Sequence, residues 1–272
     1  MAIARQLSLF LAATQFLTRL PVPALQGFRS SWLPSSVRYF PLVGVLVGFI
    51  NVGTWWLAAH WFPATVAVGL MLACSLLVTG ALHEDGFADA CDGFGGGATP
   101  ERVLSIMKDS RIGAYGAIGI AMMLALKWAT LVALPYLVFP IVVIGAHMVS
   151  RWCAVGLIWG LRYVRSDDNA KSKPVADSVS GLDWLFSGLI GAVALVPAFL
   201  LRAPPADHAI LFACAKAAVA AAITAGLAAA YVKKRIGGYT GDCLGAVQQL
   251  TELIFLLVAL AALVPPARSA GL

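Results

Sequence analysis

Charge is scarce in this sequence. Only 12% of its 272 residues are Asp, Glu, Lys or Arg, against 60% hydrophobic, about half the charged share of a typical soluble domain. An ordinary water-soluble globule is excluded, because one core could not hide so much apolar sequence and lipid has to solvate most of it. Cysteine is sparse and unpatterned: Cys74, Cys91, Cys153, Cys214 and Cys243 are odd in number and scattered, with no Cys-x-x-Cys. That excludes a disulfide framework and a structural zinc site and leaves them as small packing residues. A convincing secretory leader is also missing, since Gln15, Thr18 and Arg19 interrupt the first apolar run, so the N-terminus is expected in the mature protein. The net charge of +6 comes with no soluble basic domain. Nucleic acid is therefore excluded as a partner, and basicity becomes a marker of topology.

What is present is apolar length. Mean hydropathy is +0.86, and between Arg38 and Glu84 there is no charged residue at all. That stretch holds two spans, near 39–59 and 63–82, broken at His60, Trp61, Phe62 and Pro63. Further apolar segments follow near 112–134, 137–161, 184–201, 208–232 and 247–264. The expected fold is all-α: a polytopic membrane helix bundle of about seven spans, forming a single integral membrane catalytic domain over residues 1–272. Residues 5–20 set Leu7, Phe10, Leu11, Thr14 and Leu17 at helical spacing, which predicts a helix lying in the interface.

Sorting the basic residues among alternate loops tests this topology. One side receives Arg5, Arg19, Arg29, Arg38, Arg102, Lys108, Arg111, Arg162, Arg165, Lys171, Lys173, Lys233, Lys234 and Arg235, 14 of the 19. The other receives Arg202 and Arg268, while Lys127, Arg151 and Lys216 fall inside spans. The positive-inside rule then places the loops at 83–111, 162–183 and 233–246 in the cytoplasm and the C-terminus outside. Of the 13 acidic residues only Asp207 falls in an outer loop, so the polar chemistry is one-sided.

Two cytoplasmic stretches carry that chemistry. The first runs from His83-Glu84-Asp85-Gly86 through Asp89 and Asp92-Gly93 to Gly95-Gly96-Gly97. On a helix Asp85 lies about 40° from Asp89 and about 20° from Asp92, so the three carboxylates share one stripe. With no Lys or Arg inside the motif, they call for a divalent cation, and oxygen-only ligands point to Mg²⁺ or Mn²⁺. The glycines are expected to let backbone approach a phosphate closely. The same stretch continues to Met107-Lys108-Asp109-Ser110-Arg111, where Lys108 and Arg111 stand at a helix start, either to grip phosphate or as ordinary cytoplasmic flank.

The second stretch is Gly237-Gly238-Tyr239-Thr240-Gly241-Asp242-Cys243, followed by Gln248, Gln249 and Glu252. Asp242 adds a fourth carboxylate. Glu252, inside the last span, costs about 2.5 kcal/mol or more to insert near a helix centre and needs a partner. Arg151, inside another span, either pairs with Glu252 or projects toward a phosphate. Lys127 and Lys216 snorkel or line the cavity. His83 and His147 stand alone and suit hydrogen bonding better than metal ligation.

A carboxylate cluster, a divalent cation, glycine turns and nearby cations at a membrane surface suit transfer at a phosphate or diphosphate. These features alone do not separate phosphodiester transfer from prenyl transfer. A CDP-alcohol phosphotransferase-like lipid enzyme shares the logic, but its Ala-Arg and second Asp pair are missing. An ion-coupled transporter would place carboxylates at mid-membrane within paired broken helices.

The blocks His83-Glu84-Asp85-Gly86, Ala88-Asp89, Asp92-Gly93, Met107-Lys108-Asp109-Ser110-Arg111 and Thr240-Gly241-Asp242, with Gly245-Ala246 and Glu252, resemble those of the cobalamin synthase family, the adenosylcobinamide-GDP ribazoletransferases. Thr18-Arg19-Leu20-Pro21-Val22-Pro23 and Phe40-Pro41-Leu42-Val43-Gly44 resemble its N-terminal blocks. Family members commonly carry Leu at the place of Glu84 and Ala at that of Cys91, so neither is assigned a role. The resemblance implies a multi-pass enzyme of the bacterial inner membrane with its active site facing the cytoplasm. Its substrates would be adenosylcobinamide-GDP and alpha-ribazole or its 5'-phosphate, and its products adenosylcobalamin, or the 5'-phosphate, and GMP. It further implies Mg²⁺ held by Asp85, Asp89 and Asp92, with Asp242 as a further ligand or as the base. Lys108, Asp109 and Arg111 would meet the diphosphate, and Arg151, Tyr239, His83 and Glu252 other parts of the substrates. A homo-oligomer or a complex with other corrinoid-pathway enzymes is compatible with it.

Overall fold

The computed structural model describes residues 2–23, 32–165, 179–200 and 207–264. Expectations resting on Arg29, Lys171, Lys173, Arg202 and Arg268 lie outside these residues. The chain is helical: α1 (Ala2–Leu17), α2 (Trp32–Ser36), a 3-10 turn (Val37–Tyr39), α3 (Phe40–Ala58), α4 (Ala64–Thr79), α5 (Leu82–Gly96), α6 (Pro100–Ile106), α7 (Ala114–Ala133), α8 (Phe139–Gly160), α9 (Gly181–Leu200), α10 (Asp207–Ile236) and α11 (Gly241–Leu263). Among the described residues no strand forms, and a single parallel bridge joins Tyr163 to Tyr239.

Each of the seven apolar segments expected from the sequence is a helix. Five stretches, ending in or comprising α3, α7, α8, α10 and α11, are long and apolar enough to cross a membrane unaided. A sixth crossing needs α4 and α5 taken together, although they are bent by 89°. The described part of α9, Gly181–Val196, is shorter. α4 is the more apolar arm of the bent pair, and the acidic residues lie on α5, beyond the bend. What the sequence suggested as a loop over 83–111 is therefore mostly α5 and α6.

α8 is the axis of the bundle, buried along most of its length, from Phe139 through Ile158. α3 crosses it closely because Gly44 and Gly48 present bare backbone: a Cβ at Gly48 would lie 2.8 Å from Ile144 Cα, and one at Gly44 would collide with the carbonyl of His147. Small residues four apart are the usual means of close helix approach in lipid. The peripheral helices turn apolar side chains outward, including Ile118 and Met122 on α7 and Phe212, Ile223 and Leu227 on α10, as lipid solvation requires. α1 packs on this body with Leu9, Ala12, Ala13, Thr14 and Leu17 buried and Leu7 exposed. Its buried stripe is thus rotated from the one expected, because the helix lies against protein there. Arg38, in the 3-10 turn, pairs with Asp183 at the start of α9 at 3.0 Å.

Candidate active site

The site begins at a corner. Gly80 (φ 63°) and Ala81 (φ 54°) both adopt the left-handed conformation between α4 and α5. The Gly80 N–H bonds the carbonyls of Leu76 and Leu77, a left-handed cap that stops α4. The Arg19 N–H donates to the Val78 carbonyl at 2.7 Å, and a Cβ at Gly80 would lie 2.9 Å from Arg19 Cγ. The N-terminal block containing Thr18 and Arg19 therefore packs over the corner that aims α5.

α5 then crosses α11 through two glycines. A Cβ on Gly86 would sit 3.0 Å from Asp242 Cα, and one on Gly245 would sit 2.9 Å from the His83 carbonyl. Only bare backbone permits this approach, and it brings Asp85 and Asp89 of α5 to Asp242 of α11. Thr240 caps α11, its hydroxyl accepting from the Cys243 N–H at 3.3 Å. Asp89 is half-buried, and its pKa is pushed up to about 7, chiefly by burial and then by the charges of Asp242 and Asp85, with Arg165 opposing. Carboxylates are crowded here beyond what the neighbouring cation offsets.

Asp92 is placed differently from the other two residues of its stripe. It is buried, and its oxygens accept the backbone N–H groups of Gly113 at 2.7 Å and Gly116 at 2.8 Å. These are orphan donors at the start of α7, and Asp92 serves them from another helix. Side chains at Gly113 or Gly116 would collide with the carboxylate. The other glycines of this stretch are also occupied by protein: Gly93 faces Met107, Gly95 faces Tyr115 and Gly97 faces Val103. The expected phosphate cradle is instead tight packing of α5 against α6 and α7.

Two of the expected cations, Arg111 and Arg151, are paired elsewhere. Lys108 and Arg111 are exposed, and Arg111 forks onto Asp109 with hydrogen bonds of 3.0 and 2.6 Å. That pairing holds the Asp109 carboxyl down at about 2. Arg151 is 2% exposed, with Nη1 donating to the His147 carbonyl at 3.0 Å and lying 3.6 Å from Glu252. The nearer partner of Glu252 is Lys127, whose ammonium donates to it at 2.7 Å and to Gln249 at 2.6 Å. Gln249 in turn donates to Glu84 at 2.8 Å. Glu84 lines a cavity with Asn51, Ser75, Lys127, His147 and Glu252, where Asn51 Oδ1 and Glu84 Oε2 are buried without a hydrogen-bond partner. His83 is buried near Gly245. Tyr239 is buried with its ring edge-on to Tyr163 at 5.5 Å. Cys153 and Cys243 are buried and none of the five cysteines forms a disulfide, in keeping with packing.

The residue that sequence reasoning left among the topology markers is Arg165. The Tyr163–Tyr239 bridge, made by Val164 N–H to Tyr239 O at 3.0 Å and Tyr239 N–H to Arg162 O at 2.9 Å, carries it to Asp242, where its Nη2 lies 3.0 Å from Oδ2. No local pattern signals this contact.

Among the described residues no three His, Cys, Asp or Glu side chains are gathered closely enough to enclose an ion. The donor chemistry nevertheless suits a hard cation: Asp85, Asp89 and Asp242 offer only oxygen, and burial together with their crowding raises the proton affinity of Asp89; Mg²⁺ would relieve the crowding. Asp92 fits less well, since backbone N–H groups hold both its oxygens.

Residues 9–260 match the family model described as cobalamin-5-phosphate synthase. A Leptothrix cholodnii protein named adenosylcobinamide-GDP ribazoletransferase is 43% identical over 93% of this chain and 94% of its own length. Relatives of the same name from Shewanella frigidimarina, 43% identical over 94% of this chain and 95% of theirs, and Ralstonia pickettii, 45% identical over 90% and 91%, are similar throughout. No solved structure matches the chain. The α5 and α11 carboxylates thus lie within a match spanning nearly the whole helical bundle, and the chain belongs to the cobalamin-5-phosphate synthase family.

Proposed function

We propose that the chain joins adenosylcobinamide-GDP to alpha-ribazole, or to its 5'-phosphate, forming adenosylcobalamin, or its 5'-phosphate, and GMP. The observation that carries this reading is the meeting of Asp85, Asp89 and Asp242 from two helices beside one guanidinium, in a chain whose relatives bear the ribazoletransferase name. A ribose hydroxyl oxygen of the ribazole forms a bond to the cobinamide-linked phosphorus. The bond from that phosphorus to the bridging oxygen breaks, and the bridging oxygen leaves with GMP. The hydroxyl proton passes to a carboxylate oxygen of Asp89, whose pKa of about 7 suits a base working near neutrality.

Mg²⁺, when bound, neutralises diphosphate charge and orients the leaving group. Asp85 and Asp242 would hold it, because one or two carboxylates plus substrate oxygens are its usual share. Asp92 acts at one remove, fixing the start of α7 against α5. Tyr239 and His83 shape the walls behind Asp242. The site faces the cytoplasm of a bacterial inner membrane, a reading supported by the 14 basic residues gathered on that side.

The test is direct. Purified protein in liposomes is given Mg²⁺, adenosylcobinamide-GDP and alpha-ribazole, and GMP is followed. Release that depends on protein and metal and is lost in Asp89→Asn supports the reading. No GMP above a protein-free control overturns it.

A further inference from the structure

We propose that Arg165 is the residue that grips the substrate's diphosphate, exchanging Asp242 for phosphate oxygens as the metal and substrate arrive. This rests on the phosphoryl-transfer reading above and assigns one of its parts. The sequence offers Lys108 and Arg111 for this part, yet Arg111 is 87% exposed at its side chain and already forked onto Asp109. The Arg165 side chain is 16% exposed, as is that of Asp242. Among the described charges that bear on Asp89, Asp242, Asp85 and Asp92 are carboxylates and the cation is Arg165.

Its donors are placed for exchange. Nη2 donates to the Met107 carbonyl at 3.0 Å and pairs with Asp242 Oδ2 at 3.0 Å. Nε is buried and has no hydrogen-bond partner. A buried N–H without an acceptor is costly to maintain, and a second oxygen on the same ligand would satisfy it. The guanidinium edge is made for such two-point contact with phosphate. A single carboxylate oxygen holds only one point of that edge here. The Met107 bond anchors the side chain from the α6 side, so the arginine keeps its place when Asp242 leaves.

The exchange predicts opposite effects on two ligands. In Arg165→Gln, adenosylcobinamide-GDP binding, measured without alpha-ribazole so that no turnover occurs, is expected to weaken about 10- to 100-fold, the worth of one or two charge-assisted hydrogen bonds. Mn²⁺ binding to the substrate-free protein, read by electron paramagnetic resonance, is expected to tighten several-fold, because Asp242 loses its competing cation. Arg165→Lys should keep Mn²⁺ affinity near wild type and recover only part of the substrate affinity, lacking the planar fork. Unchanged substrate affinity in Arg165→Gln overturns the proposal. So does weakening of both ligands together in Arg165→Gln and Arg165→Lys, the signature of a residue that merely staples loops. Wild-type protein that releases no GMP overturns the functional reading itself. Normal wild-type turnover with substrate affinity unmoved in both variants removes only the role of Arg165.

Discussion

Lys127 on α7 and Glu252 on α11 meet at 2.7 Å with side chains 3% and 8% exposed, in helices that otherwise present apolar surface. The pair is the centre of a polar chain running through Gln249 to Glu84 and through His147 and Arg151 on α8. Removing Glu252 strands Lys127 and Arg151 away from water, whereas removing Lys127 leaves Glu252 facing Arg151 and His147. Glu252→Leu is expected to destabilise the protein by about 3–5 kcal/mol, Lys127→Met by less, and the double variant by less than Glu252→Leu alone. Thermal unfolding in detergent of the two singles and the double checks this. Strictly additive losses would show that the two charges are not coupled.

Asp92 supplies a different kind of support. Asp92→Asn keeps the shape but puts an amide donor against one of two backbone N–H groups, so the start of α7 should loosen. A loss of about 1–3 kcal/mol is expected, with Mn²⁺ binding retained in whatever protein remains folded. Gly116→Ala should reproduce the loss from the other side, since its Cβ would press on the same carboxylate and on the Ala88 carbonyl. If Asp92→Asn instead abolishes Mn²⁺ binding at unchanged stability, Asp92 is a ligand.

The raised proton affinity of Asp89 gives a pH dependence with a definite sign. A carboxyl whose folded pKa lies above its unfolded value favours the folded state fully only below the unfolded pKa, and that contribution is lost as pH rises through the folded value. With a folded pKa of about 7 against an ordinary value of 3.8, Asp89→Asn should unfold at higher temperature than wild type in metal-free buffer above pH 7 and match it near pH 4. The gain should be about 1 kcal/mol, allowing for solvent screening of a half-exposed group. Turnover should run the other way, rising with pH toward about 7 as the base ionises, with bound Mg²⁺ drawing the midpoint lower. A variant less stable than wild type at pH 8 would contradict the placement of Asp89.

The α5–α11 crossing is testable without touching a carboxylate. Gly245→Val places branched carbon against the His83 carbonyl and Gly86, forcing the helices apart and Asp85 and Asp89 away from Asp242. Activity is expected to fall at least about 100-fold, as misplacement by about 1 Å can cause, while Gly226→Ala, where the added carbon meets nothing within 4 Å, should be silent. Full activity in Gly245→Val would show that the crossing does not set the site.

Apolar length was the most legible property of the sequence. The run without charge from Phe40 to Pro63 and beyond could hardly form anything but membrane helices, and α3 and α4 fall almost where it ends and breaks. The shared stripe of Asp85, Asp89 and Asp92 was legible as periodicity. What Asp92 does was not, because its partners are backbone N–H groups of Gly113 and Gly116, which every sequence position carries. Glu252 visibly needed a partner, yet choosing Lys127 over Arg151 depends on how α7 and α8 rotate against α11, a tertiary matter. Arg165 was hidden for a similar reason: a parallel bridge to Tyr239 joins segments far apart in the chain, and only the fold sets them side by side.

The left-handed corner at Gly80 and Ala81 couples the site to the membrane. α4 has 16 residues, about 24 Å of helix, against a hydrocarbon core of about 30 Å. A short span drags its ends inward or thins the lipid around it. Because the corner turns the chain by 89°, rise or fall of α4 through the bilayer tilts α5, and with it Asp85 and Asp89, relative to Asp242. Acyl-chain length should therefore act as a control on catalysis: turnover in phosphatidylcholine vesicles is expected to be highest in thin bilayers and to decline as the chains lengthen.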